Sequence, residues 1–123
     1  MHTPQAVLIV DDEKDIRDLL RFALIADGYE VMTATNGVEA MESIHQNAPG
    51  AILLDLMMPR MSGYDVLDAL RERGWLPQMP VVIMTARNLD ETDHERLEGV
   101  RAIYQKGQTD VTELVKAVRS VAS

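Results

Sequence analysis

Three continuous apolar runs of strand length, at residues 7–10, 51–54 and 81–84, constrain the fold more than any other feature of this sequence. A strand with one face in water alternates apolar and polar residues. An unbroken apolar run needs cover on both faces, as in a parallel sheet flanked by helices. Two less uniform stretches, 30–34 and 102–105, read as edge strands.

Amphipathic segments separate these runs. Ile16, Leu19, Leu20 and Ala23 recur at i, i+3, i+4 and i+7, and Gly28 supplies a helix stop. A short second helix fits 38–44. Ser62-Gly63-Tyr64-Asp65 forms a capping box with Asp in place of Glu, opening a helix to about residue 73. Asp110-Val111-Thr112-Glu113 opens the last helix in the same way, with Val111, Leu114, Val115 and Val118 on one face. Between 88 and 100 only Leu89, Leu97 and Val100 are large and apolar, so the fourth helix has a thin stripe. The order is βα five times over, which predicts an α/β, doubly wound open sheet with right-handed crossovers.

With 123 residues the chain suits one domain, 1–123. Its 46% hydrophobic but only 4% aromatic content predicts an aliphatic core. The net charge of −8 argues against direct nucleic-acid binding, which rests on clustered cations. Absence of Cys excludes disulfides and thiolate metal sites. Residues 1–5 lack the basic start and apolar stretch of a signal peptide, and no apolar run could span a bilayer. A cytoplasmic location without membrane partners is therefore expected.

In such sheets ligands bind at the carboxyl ends of the strands. Strand one ends in Asp11-Asp12, strand three in Asp55 and strand four in Thr85, while strand five runs into Lys106. Each has a plain structural explanation taken singly: a helix cap, a β-branched strand residue, a solvated charge. Gathered on one edge they call for more. Two carboxylates about 5 Å apart repel by roughly 3 kcal/mol at an effective dielectric near 20. A cation is needed to offset that, and an all-oxygen ligand set suits Mg²⁺. A divalent metal with a Lys beside a carboxylate clamps a multiply charged anion, which points to phosphoryl chemistry with Asp as the attacking group.

The sequence resembles the receiver domain of two-component response regulators. The resemblance rests on Val-Leu-Ile-Val-Asp-Asp-Glu at 7–13, Asn36-Gly37, Leu-Leu-Asp-Leu-Met-Met-Pro at 53–59, Met61-Ser62-Gly63-Tyr64 and Ile-Met-Thr-Ala-Arg at 83–87. It covers nearly the whole chain. It implies a flavodoxin-like (βα)5 fold with a five-stranded parallel sheet in the order 2-1-3-4-5. It also implies that Asp55 is the phospho-acceptor and a metal ligand, with Asp12 binding Mg²⁺ directly and Asp11 through water. The backbone carbonyl of Met57 would add a further oxygen, Lys106 would pair with the phosphoryl group, and Thr85 would move to hydrogen-bond it. Met57 and Arg87 stand where the lifetime of the aspartyl phosphate is tuned. A histidine kinase or phosphotransfer protein is the expected donor, with a downstream protein target. Such a protein acts on itself rather than turning over an external substrate.

Three departures set this chain apart. Gly107, not Pro, follows Lys106, so a trans peptide is expected there. Ile103 holds the place of the family's switch aromatic, and Tyr104, one residue on, must face the other side of the sheet. Thr85 and Lys106 are 106 − 85 = 21 positions apart, one fewer than usual in the family. Residues 86–107 are therefore expected to be atypical and mobile, with the phosphorylation chemistry intact. Other readings are a receiver-like scaffold that no longer switches, the receiver part of a longer regulator, and an Asp-dependent phosphatase. The last wants an acid two positions after Asp55, where Met57 stands. The oligomeric state is open between monomer and weak dimer. Trp75 is expected at the end of the sheet opposite the acids.

Overall fold

A computed structural model describes residues 6–122. The reading of residues 1–5 as lacking a signal peptide lies outside the described residues. Five strands form one parallel sheet in the order β2-β1-β3-β4-β5: β1 (Ala6–Val10), β2 (Glu30–Ala34), β3 (Ala51–Asp55), β4 (Val81–Thr85) and β5 (Ala102–Gln105). Each is followed by a helix: α1 (Lys14–Ala26), α2 (Gly37–Gln46), α3 (Gly63–Glu72), α4 (Glu91–Arg96) and α5 (Val111–Val121). This is the expected flavodoxin-like doubly wound fold, with β2 and β5 at the edges.

The continuous apolar runs follow from the two layers of helices. Successive β1 residues point to opposite faces, Leu8 and Val10 to one core and Val7 and Ile9 to the other. The first core is closed by α2 and α3 with Ala40, Ile44, Val66, Leu67 and Leu70. The second is closed by α1 and α5 with Leu20, Leu24, Leu114, Val115 and Val118. Every residue of β3 and β4 is buried. A fully buried aliphatic side chain contributes about 1.5–3 kcal/mol, so these runs dominate the stability.

Local signals place the helix ends. Asn36 caps α2, accepting from the Glu39 N–H at 3.0 Å. Ser62 and Asp65 form the expected reciprocal capping box on α3. Asp110 caps α5 by accepting from the Glu113 N–H. The α1 stripe differs from expectation at one position. Leu19 is 53% exposed, and the buried line runs through Leu20 and Leu24 instead. The α1 helix meets the sheet on the side of β1 that α5 shares, so the seam lies one residue further round.

The fourth helix has six residues, with Leu97 buried just after its end. Polar ties supplement its thin apolar stripe. The Tyr64 hydroxyl donates to Asp93 Oδ1 at 2.6 Å, and the Arg71 guanidinium donates to the Arg96 and Glu98 carbonyls at 2.6 and 2.7 Å. The expected trans peptide after Lys106 is present, since among the described residues the cis peptide is Leu76–Pro77. Gly107 instead has φ +83°, a left-handed conformation that glycine adopts without steric cost.

Candidate functional site

The carboxyl ends of β1, β3, β4 and β5 deliver the expected residues to one edge. Asp11 and Asp55 are 0% and 2% exposed, and Thr85 is also buried, while Asp12 is open to solvent. Asp11, Asp12 and Asp55 each offer a carboxylate oxygen, all within 4.8 Å of one another. Lys106 Nζ lies 2.6 Å from Asp11 Oδ2, 3.2 Å from Asp55 Oδ2 and 3.5 Å from Glu13 Oε1. One ammonium thus faces several carboxylates.

The backbone fixes these groups. Parallel pairing sets Val10 beside Leu54 and Asp55 beside Met84, so the strand ends come level. The Lys106 N–H donates to the Thr85 carbonyl at 2.8 Å, carrying the β4–β5 pairing one step further and holding the ammonium at the pocket. Asp55 Oδ1 accepts from the Met57 N–H at 3.2 Å. Asp11 Oδ1 accepts from the Glu13 N–H at 2.9 Å, and Arg17 Nη1 donates to the Asp11 carbonyl at 2.8 Å. Gly63 at the start of α3 packs directly on the Asp55 backbone. A Cβ there would overlap the Asp55 carbonyl oxygen and the Leu56 Cα.

Burial pushes the Asp55 carboxyl up to about 6 and Asp11 adds to the rise, against the opposing pull of Lys106 and the Met57 N–H. Burial alone would lower Lys106, but its contacts with Asp11 and Asp55 outweigh that and raise it. The ammonium is therefore firmly charged. Asp11 Oδ2 is buried without a hydrogen-bond partner among the described residues, and the Lys106 ammonium 2.6 Å away is its charge partner. A buried carboxylate oxygen left in this way, beside two further carboxylates, has the chemistry of a hard-cation site. The residues present fit Mg²⁺.

Sequence reasoning anticipated Asp11, Asp12, Asp55, Thr85 and Lys106 at this edge. Glu13 and Arg17 were not singled out. Their signal is the acidic segment 11–15 running into α1, where Arg17 stands one helical turn after Glu13. The Met57 side chain is exposed, as befits a residue that would contribute through its backbone. Trp75 stands at the opposite end of the sheet, as expected. There it lines a cavity of about 780 Å³ with His45, Gly50, Pro80 and Arg101. The cavity contains none of the strand-end acids, so cavity size alone would misplace the site.

Comparison with known proteins agrees with this fold. The family model described as the response regulator receiver domain matches residues 7–119. Response regulator MprA of Mycobacterium sp. (strain KMS) is 40% identical over 99 residues, covering 80% of this chain and 41% of that protein. The chain therefore spans about two fifths of the length of the curated relatives it matches. A chemotaxis protein of Vibrio cholerae superposes with a TM-score of 0.85 at 28% identity, covering 97% of this chain and 99% of that one. The Thermotoga maritima response regulator TrrA, solved in complex with Mg²⁺ and BeF, gives 0.83 at 29% identity, covering 95% and 98%.

Proposed function

The chain belongs to the response regulator receiver family, and from that premise we propose that Asp55 accepts a phosphoryl group from a phosphohistidine donor. The observation that carries this reading is the buried Asp55 carboxylate within reach of Asp11, Asp12 and the Lys106 ammonium. Asp11, Asp12 and Asp55, with the Met57 carbonyl, would hold Mg²⁺. When bound, that ion would neutralise charge on the transferring phosphoryl oxygens.

The protein's own groups do the rest. Above pH 6 the Asp55 carboxylate is ionised and can attack phosphorus. An oxygen–phosphorus bond forms, the phosphorus–nitrogen bond to the donor histidine breaks, and that nitrogen keeps the electron pair. Lys106, already 3.2 Å from Asp55 Oδ2, supplies fixed positive charge to the incoming oxygens. Thr85, buried at the neighbouring strand end, offers a hydroxyl donor. Water later attacks the phosphorus, the bond to the Asp55 oxygen breaks, and inorganic phosphate leaves with the carboxylate restored, so the domain modifies itself and turns over no external substrate. Its partners would be a histidine kinase or phosphotransfer protein and a downstream protein.

A scaffold that no longer switches is not favoured, since the acids, the hydroxyl and the ammonium are all present at one edge. A phosphatase of the kind considered lacks its second acid at Met57. The test is the ¹⁹F spectrum with Mg²⁺ and beryllofluoride. The protein is expected to give a bound signal that Asp55→Asn and chelation of Mg²⁺ both abolish. A signal that survives Asp55→Asn would contradict the assignment.

A further inference from the structure

We propose that Asp93 is a three-way junction through which a change at Thr85 reaches α4, a relay built from Tyr64 and Arg87 rather than from a β5 aromatic. The inference rests on the reading of Asp55 as phospho-acceptor.

Asp93 is nearly buried and serves three sets of partners. Its Oδ1 accepts from the Tyr64 hydroxyl on α3 at 2.6 Å. Its Oδ2 accepts from Arg87 Nη2 at 3.1 Å and from the Asp90 N–H at 3.0 Å. Its own N–H donates to Asp90 Oδ1 at 2.9 Å, so Asp93 is also half of the capping box that starts α4. The Tyr64 ring is in turn covered by the Arg96 guanidinium, 4.1 Å from its centre. These ties hold a helix of six residues, too short to be stable through its own hydrogen bonds.

Arg87 joins this junction to the pocket. Its N–H donates to Thr85 Oγ1 at 3.3 Å, and its guanidinium reaches Asp93. A Thr85 hydroxyl drawn towards new negative charge on Asp55 pulls on the turn that carries Arg87. The guanidinium then drags Asp93 Oδ2 with it, and that movement loosens the capping box, because the same carboxylate oxygen accepts from both Arg87 and Asp90. A buried carboxylate is costly to leave short of donors, so the junction favours two discrete arrangements over a continuous range.

Among the described residues the β5 side reaches the turn before α4, through Gln105 Nε2 donating to Asn88 Oδ1 at 2.9 Å, but makes no polar contact with α4 itself. Ile103 packs in the α2/α3 core without a polar group, and Tyr104 packs against the α1/α5 core on the other face. The polar link from Thr85 to α4 therefore runs through Arg87 and Asp93.

Amide hydrogen exchange of residues 91–96 tests this, with and without Mg²⁺ and beryllofluoride. Adduct formation, followed separately by ¹⁹F, should speed exchange in 91–96 about tenfold, the factor that corresponds to about 1.4 kcal/mol. In Tyr64→Phe, exchange should already be fast in the free protein and change little on adduct formation. Reciprocal coupling then requires tighter beryllofluoride binding by that variant, by about three- to tenfold. Arg87→Gln should shift both readouts in the same direction. An adduct that leaves exchange in 91–96 unchanged overturns the relay alone. So does a Tyr64→Phe protein with faster exchange but unaltered beryllofluoride affinity, which is the mark of a merely structural bond. Absence of any adduct in the unaltered protein overturns the acceptor reading and the relay with it.

Discussion

The strand-end pocket and the α4 segment are built on opposite principles. Around Asp55, buried aliphatic strands hold the backbone rigidly while like charges are forced together: Asp11 and Asp55 are buried beside Asp12, with Lys106 between them. Around α4 there is little apolar cover, and opposite charges and hydrogen bonds are satisfied instead. Tyr64, Arg71 and Arg87 all donate to acceptors on or beside that helix. The first region gathers like charges that a bound cation would offset. The second is held by hydrogen bonds centred on Asp93 and changes when one of them is broken. One is suited to receive charge, the other to report its arrival.

The comparison breaks most visibly at Lys106. If this ammonium stabilises the transferring phosphoryl group, Lys106→Ala should slow acetyl phosphate labelling of Asp55 by about 10²–10³-fold. Single-turnover labelling kinetics would show it, and a rate within a factor of three of the unaltered protein would remove Lys106 from the chemistry. The next effect is on the frame. Gly63→Ala puts a methyl group against the Asp55 carbonyl and should cost about 2–3 kcal/mol in urea unfolding. Gly107→Ala has open space around it and is strained only through its φ of +83°, so about 1 kcal/mol is expected there.

A pH series sharpens the claim of gathered like charges. Because the folded Asp55 carboxyl is raised to about 6 from an ordinary 3.8, the folded state holds that proton more tightly than the unfolded chain. In metal-free protein the stabilising contribution is complete below pH 3.8 and is lost as pH rises through 6. Mg²⁺ binding must displace the same proton, so its affinity should fall about tenfold per pH unit below pH 6 and level off above 7. Melting curves across pH 4–8, with Mg²⁺ and with chelator, should diverge as pH rises. Parallel curves would mean that Asp55 carries no such shift.

The two regions were not equally legible in the sequence. Continuous runs in β1, β3 and β4 declared strands covered on both faces, and the acids were readable because they stand where those runs stop. Register did the rest, bringing separate strand ends level without any local signal of proximity. The ties around α4 left no such trace. Tyr64 and Asp93 are 29 positions apart, and a hydrogen bond between them has no periodicity to betray it. The expectation that residues 86–107 are mobile came from the departures clustered there; the structure adds that α4, where its apolar stripe is thin, is fastened by polar groups. Leu19 was misplaced for a related reason. Periodicity marks a stripe on α1 but not which of two adjacent lines turns inward, and Leu20 and Leu24 took the core.

The central claim is that phosphoryl transfer goes to Asp55 and depends on the surrounding acids and their cation. Incubation with Mg²⁺ and acetyl phosphate, followed by borohydride reduction and peptide mapping, tests it most directly. The account predicts homoserine at position 55 alone, in amounts that vanish when Mg²⁺ is chelated. Reduction product at Asp11 or Asp12, or labelling of Asp55 that is indifferent to Mg²⁺, would contradict it.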